Sequence, residues 1–322
     1  MRVTVFGGTG FVGSYLVDAL LENGHHPVLL VRTGSEHKAT QPDRCTLASG
    51  DIADAAAVRS AIDGADAVIY NIGILREFPA QGVTYDALHF EGARRTMDAA
   101  EQAGVRRFLL MSANGVKADG TGYQRSKYMA EQYLAITGLD WTIFRPSVLF
   151  GDPRGRMEFA TQLYRDIVRS PLPAPLFFDG ILPLQAGMFR LSPVHVKDVA
   201  SAFVKALDMP ETAGRIIALG GPDALTWKDI LQTIARATGT TKWTVPAPVL
   251  LLKGLAAALD QYAFFPITRD QLTMLMEGNT CDAQELLRTF GLTQTPFDAT
   301  SLSYLHSDSV NVRQHEAAEP HQ

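Results

Sequence analysis

Cysteine is nearly absent: Cys45 and Cys281 are the only two in 322 residues. They stand far apart and outside any metal-type spacing, so neither a disulfide framework nor a zinc site is expected, and a reducing compartment fits. A surplus of one charge is missing too. Against 34 acidic residues there are 29 Lys and Arg, a net charge of -5, and nothing in that balance favours nucleic acid as a partner. The pairs Arg94-Arg95 and Arg106-Arg107 read as solvated helix and loop charges. No internal repeat occurs, and no apolar run is long enough for a spanning helix. The most apolar stretch, "PVLLLKGLAAALDQYAFF", is interrupted by Lys253 and Asp260. It reads as a core helix of a smaller lobe, with a sharper alternative in which it and "LFFDGILPL" form one surface for a lipid-like substrate or a membrane-proximal partner. No basic segment followed by an apolar core precedes "RVTVF", so the expected location is cytoplasmic, peripheral at the inner membrane if that surface docks.

What the chain does have is alternation. Strand-like "RVTVF", "PVLLV", "DAVIYN", "RFLLMS" and "WTIFRP" are separated by amphipathic segments near 11–23, 54–62, 85–103 and 123–136. β-rich runs spaced by helices predict a parallel sheet covered on both faces. Residues 1–150 with about 195–220, where "VHVKDVASAFVKAL" and "RIIAL" resume the pattern, are expected to form this doubly wound α/β domain. A proline-rich loop over 151–194 reads as a lid or substrate wall. With 221–306, where helices are expected near 227–238, 249–262, 269–276 and 282–290, it makes a smaller, mainly helical lobe. Residues 307–322 are too poor in apolar side chains to pack and read as a disordered tail.

"VTVFGGTGFVGSYLV" places Gly7, Gly10 and Gly13, with Thr9, Phe11 and Val12 between them, at the turn from the first strand to the first helix. That context, beyond the glycines themselves, predicts a Rossmann-type dinucleotide site: bare backbone admits a diphosphate, and helix amides face it. Where an acid would bind the adenosine ribose hydroxyls of NAD(H), the second strand ends in Arg32. A guanidinium there suits a 2′-phosphate, so NADP(H) is preferred with NAD(H) as the alternative; Lys38 is a more distant candidate for the same phosphate. At the ends of the next strands, Asp51 and Ile52 are expected at the adenine, and Asn71 to Gly73 under the ribose. Each, taken alone, is also what an ordinary turn would show.

The set "GGTGFVG", "GDI", "NIG", "YQRSK", "FRPSVLFG" and "PVHVKDVA", in this order, resembles the extended and atypical short-chain dehydrogenase/reductases over residues 1 to about 220. "LGGPDALTWKDIL" and "PITRDQLTMLMEGNTCD" resemble, more narrowly, bacterial relatives of the short-chain-dehydrogenase-like accessory subunit of respiratory complex I. The resemblance implies Tyr123 as the proton-exchanging residue and Lys127, four residues on along the same helix face, as the cation that lowers its pKa and grips the nicotinamide ribose. It also implies a serine or threonine three residues before Val116 to hold the substrate oxygen. Ala113 stands there, with Ser112 one step early, and one step along an extended chain sends a side chain to the other face. Ser112 remains a candidate if the chain kinks at Asn114-Gly115, as does Asn114. His89 occupies a place where many relatives carry asparagine and reads as a structural, partly buried histidine. His195 reads as a packed neutral histidine, Asp198 as an acid in a first helical turn, and Arg145 as part of the crevice floor. Two readings follow: an NADP(H)-dependent oxidoreductase acting on a small, apolar or nucleotide-sugar-like substrate, or a non-catalytic NADPH-binding component of a respiratory membrane complex.

Overall fold

The structure is a computed structural model, and it describes residues 1–249 and 269–306. The expected helix near 249–262 and the tail lie, but for Val249, outside these residues. Elements follow in chain order: β1 (Arg2–Phe6), α1 (Phe11–Glu22), β2 (His26–Val31), β3 (Thr46–Ser49), α2 (Ala55–Ile62), β4 (Ala67–Tyr70), α3 (Gly92–Gln102), β5 (Arg107–Met111), α4 (Gly122–Ala135), β6 (Asp140–Pro146), β7 (Leu149–Phe150), α5 (Phe159–Leu163), β8 (Ala174–Phe178), β9 (Arg190–Leu191), β10 (Val194–His195), α6 (Val196–Leu207), β11 (Arg215–Leu219), β12 (Leu225–Thr226), α7 (Trp227–Ala237) and β13 (Thr244–Pro248). Two further helices span Arg269–Glu277 and Glu285–Phe290.

Seven strands form one parallel sheet in the order β11-β6-β5-β4-β1-β2-β3. The chain moves outward from β1 to β3, then returns to β4 on the other side of β1 and moves outward again. α2, α3 and α4 pack in succession, as right-handed crossovers on one side of β1 would place them, whereas α6, which leads from β6 to β11, packs with α1 of the first run. β1, β4 and β5 are buried along nearly their whole length, as strands covered on both sides are. The direction reverses between β1 and β4, whose carboxyl ends therefore open a crevice, the usual ligand position in such sheets.

This unit comprises Met1–Ser147, Val196–Gly220 and Gln284–Thr293. The last stretch was expected in the smaller lobe; instead Lys205 Nζ donates to the Phe290 carbonyl (2.8 Å) and the Phe290 ring lies 6.0 Å from that of Phe144. Arg215 and Glu285 add an ion pair at 3.0 Å. The expected helix over 85–103 begins as a π-helical stretch, Asp86–Glu91, before α3.

The second unit is built from the described parts of 148–195, 221–283 and 294–306. Residues 151–194 are not one long loop: they contain α5, a π-helical stretch Tyr164–Val168, and strands β8 to β10. Trp227 centres the core, stacked between Phe177 (5.8 Å) and Phe189 (5.7 Å), with its indole N–H donating to the Pro175 carbonyl (2.9 Å). β8 and β13 pair in parallel beside it. Among the described residues no helix is long and apolar enough to cross a membrane, and no group of three metal-ligating side chains occurs.

Glu158, 3% exposed, caps α5 by accepting from the Ala160 and Thr161 amides, both at 2.7 Å. Burial pushes its carboxyl up to about 7 despite those two donors. A folded-state value above the unfolded one means stability that is complete below the unfolded pKa and lost as pH rises through the folded pKa, on the order of 3 kcal/mol for this shift. The midpoint of urea unfolding is therefore expected to fall between pH 5 and pH 8, and Glu158→Gln to remove most of that fall. An identical pH response in the variant would contradict the assignment.

Candidate functional site

The crevice begins with backbone. Gly7 leaves β1 at φ +88°, in the region that favours glycine, and a Cβ on it would lie 2.9 Å from the Asn71 carbonyl. At Gly13 a Cβ would lie 2.1 Å from the Gly7 oxygen, so the first turn of α1 rests directly on the strand-end turn. Gly10 caps α1 without a side-chain bond, and no acid stands in its first turn. The amides of Phe11, Val12 and Gly13 therefore head a helix with no capping side chain and no acid of its own first turn at its positive end, an arrangement suited to a diphosphate. Thr9, half-buried, lies between these glycines. Arg32 follows β2 directly and is exposed; its carbonyl accepts from Ser35 N (2.9 Å) in a tight turn. Asp51 is exposed, its carboxylate accepting from Ala53 N (2.8 Å). The Ile52 side chain, expected at the adenine, is instead core: it is 7% exposed and packs with Val58, Tyr70 and Met97, because the turn into α2 directs it inward. Asn71 extends the sheet ladder, its N–H donating to the Phe6 carbonyl (2.9 Å).

α4 supplies the second half of the site. A capping box starts it: Thr121 Oγ1 accepts from Gln124 N (3.3 Å), and Gln124 Oε1 accepts from Thr121 N (2.9 Å). Gln124 also donates to the Gly115 carbonyl (2.9 Å), fastening the preceding loop. Tyr123 and Lys127 then share one face, the ammonium 6.0 Å from the ring centroid. Lys127 Nζ lies 3.5 Å from where a Gly73 Cβ would be, at the strand end expected under the ribose. In this structure it donates to the Met111 carbonyl (2.9 Å). Burial brings its pKa down to about 8, opposed by the charge of Glu131. Burial also pushes the Tyr123 hydroxyl up to about 12. The expected lowering of the tyrosine by the ammonium is absent, because the ammonium is turned to Met111.

Ser112 borders the same small cavity as Lys127 and His89, but its hydroxyl is engaged elsewhere. Its N–H continues the ladder to the Phe144 carbonyl (2.8 Å), and its hydroxyl donates to Glu131. Arg145 grips both Glu131 oxygens, through Nε at 2.9 Å and through Nη2. The chain does turn at Asn114-Gly115, with Gly115 at φ +82° and Asn114 N donating to the Pro146 carbonyl (2.9 Å). That turn comes too late to redirect Ser112, and half-buried Ala113 occupies the place of the expected hydroxyl. Arg145, expected on the crevice floor, serves as the counter-charge of Glu131.

His89 is 2% exposed. Its Nε2 accepts from Ile74 N (3.0 Å), so the proton resides on Nδ1, which faces Ser126 Oγ at 3.0 Å. Burial, with the nearby Lys127 charge, brings its pKa down to about 2. Its ring stacks on Tyr85 (5.4 Å) and meets the Tyr123 ring edge-on (5.1 Å). Tyr85 and Glu131 belong to this cluster too, though no motif of the sequence marks them. Their signal is spacing alone: each stands four residues from a partner, Tyr85 from His89 and Glu131 from Lys127.

Residues 7–166 match the NAD(P)H-binding family. The 40 kDa subunit of mitochondrial NADH-ubiquinone oxidoreductase from Neurospora crassa is 26% identical over 313 residues, covering 95% of this chain and 78% of that protein. The ceramide reductase of Caulobacter vibrioides is 26% identical over 254 residues, covering 78% and 76%. Among solved structures, the UDP-glucose 4-epimerase of Thermus thermophilus in complex with NAD superposes with a TM-score of 0.68 at 20% identity, over 95% of this chain and 98% of that one, a likeness of fold. The chain carries an NAD(P)H-binding domain over residues 7–166, on a Rossmann-type fold. The glycine turn at the head of α1 lies within the matched residues, and the Ser112 hydroxyl is engaged with Glu131.

Ser112→Ala would leave the Glu131 carboxylate without one donor, at a cost of about 1–2 kcal/mol. Equilibrium denaturation should show that loss while NADPH affinity stays unchanged. A weakened affinity with unaltered stability would return Ser112 to the site.

Proposed function

We propose that the chain is an NADP(H)-dependent oxidoreductase that reduces an apolar carbonyl substrate or oxidises the corresponding alcohol. The observation that carries this reading is the buried Lys127 ammonium, beside Gly73 and one helical turn from Tyr123 on the same face. Gly7, Thr9, Gly10, Phe11, Val12 and Gly13 would hold the diphosphate, Arg32 the 2′-phosphate, Asp51 the adenosine side, and Asn71, Gly73 and Lys127 the nicotinamide ribose. Bound there, the nicotinamide supplies or accepts the hydride. Tyr123 handles the proton. Held up at about 12 by burial, its hydroxyl stays protonated at neutral pH and acts as the acid that donates to a substrate oxygen as a carbonyl is reduced. In the reverse direction it needs the ammonium to leave Met111 and turn toward it. With Ala113 in place of a hydroxyl, the substrate oxygen has one donor fewer, which favours carbonyls that are already electrophilic. Similarity to a ceramide reductase supports an apolar substrate.

A second reading has its own support. Ser112 bound to Glu131, Ala113 at the substrate position and similarity to a 40 kDa subunit of NADH-ubiquinone oxidoreductase fit a cofactor-holding accessory protein of a respiratory membrane complex, peripheral to the membrane.

Two experiments decide. Tyr123→Phe should lower NADPH turnover by about a hundredfold or more while leaving the NADPH Kd within about twofold. Undiminished turnover in the variant would overturn Tyr123's role, and a wild-type protein that exchanges cofactor slowly, turns nothing over and co-purifies with membrane complexes establishes the second reading. By calorimetry, Arg32→Ser should weaken NADPH by about tenfold or more and leave NADH unaffected, since only the phosphate loses a charge-assisted pair.

A further inference from the structure

We propose that His89 is a positioning residue: one neutral imidazole clamps the cofactor loop after β4 to the helix that carries Tyr123 and Lys127. The proposal rests on the cofactor-binding reading above and deepens it. Ile74 directly follows Gly73, and its amide donates to the His89 side chain, 15 residues further along the chain. On the opposite edge of the ring, Nδ1–H reaches Ser126 Oγ, and Ser126 passes the link to the Tyr123 carbonyl (3.0 Å). Ser126 is 0% exposed and immediately precedes Lys127. The ring itself supports Tyr123 edge-on and lies stacked on Tyr85, whose hydroxyl donates to the Leu75 carbonyl (3.0 Å) in the same loop.

One side chain therefore sets three things together: the loop expected under the ribose, the orientation of the tyrosine ring, and the helical turn that presents the ammonium. An imidazole suits this because it carries an acceptor and a donor on opposite edges of a rigid ring. A glutamine can place an oxygen near the Nε2 position, and an asparagine can place an N–H near the Nδ1 position, but neither spans both. The acceptor role also fixes the charge: a second proton would have to evict the Ile74 amide and leave it buried without a partner. The separation between Gly73 and the Lys127 ammonium is thereby held before any ligand arrives, which lowers the cost of binding.

The test compares wild type with His89→Leu, His89→Gln and His89→Asn in the full chain, reading amide hydrogen exchange at Ile74 without cofactor and the NADPH Kd. His89→Leu is expected to accelerate Ile74 exchange and raise the Kd by about tenfold, the scale of a lost buried hydrogen bond. His89→Gln, which restores the acceptor, should hold both within about threefold of wild type. If the leucine variant fails to fold, His89→Asn carries its expectation, since it keeps the Ser126 bond and loses the Ile74 one. Unchanged Ile74 exchange in the leucine or asparagine variant overturns the clamp, and freed exchange with an unchanged Kd overturns its positioning role. If wild type binds neither NADPH nor NADH, the cofactor reading fails, and Ile74 exchange alone still decides whether His89 holds the loop.

Discussion

Helix α1 stands on strand β1 through backbone alone. Between Gly13 and the Gly7 carbonyl there is no room for a methyl group, and between Gly7 and the Asn71 carbonyl there is scarcely more. These two approaches join the start of the first crossover to the strand on the far side of the switch point. They bring the uncapped amides of α1, the end of β1 and the end of β4 to one place. A side chain at either glycine would push the helix off the sheet or the two strand ends apart, so this end of the crevice depends on an interaction that contains no side chain.

The other end depends on charge held inside the protein. Glu131 is 1% exposed, and a carboxylate taken that far from water is tolerable only with close partners. Arg145 supplies the opposite charge, and Ser112 a neutral donor; removing either would leave a buried anion under-satisfied. The Ser112 hydroxyl therefore has a structural occupation that competes with any role toward substrate. The same carboxylate favours the charged form of Lys127 one turn away, partly offsetting the burial that disfavours it. One buried acid thus both withholds a hydroxyl from the site and sustains a cation within it.

Much of this was legible in the residues. The glycine spacing between a β-rich run and an amphipathic helix gave the crevice, because the close approaches there tolerate only glycine. The departure at Ala113 was legible as well, since Ser112, one step early, gives its hydroxyl to Glu131. What escaped were properties of tertiary packing. Ile52 looks like an adenine contact when only its position after a strand is considered, yet the turn into α2 sends it into the core. That Lys127 bonds the Met111 carbonyl involves a backbone group, which no side-chain pattern encodes. The strand pairs of the second unit are mostly two residues long, below the length at which a period of two can register, and β8 and β13 carry prolines that obscure it.

Cofactor holding and proton delivery are separable in this architecture. On the proposed reading, the first would rest on glycine backbone, helix amides and the loop held by His89, and the second on the Tyr123 hydroxyl at the start of α4. Losing a hydroxyl at position 113 leaves the first untouched, and a bound dinucleotide still stabilises the folded state by mass action, by about 2.7 kcal/mol at a hundredfold excess over its Kd. An oxidoreductase and a cofactor-holding accessory protein can for this reason share the whole fold, the glycine turn and the Tyr123-Lys127 pair. They would differ in whether Tyr123 meets a substrate oxygen; burial keeps that hydroxyl protonated but makes it a weaker acid, so the nearby Lys127 ammonium would have to turn toward it for the proton to move readily.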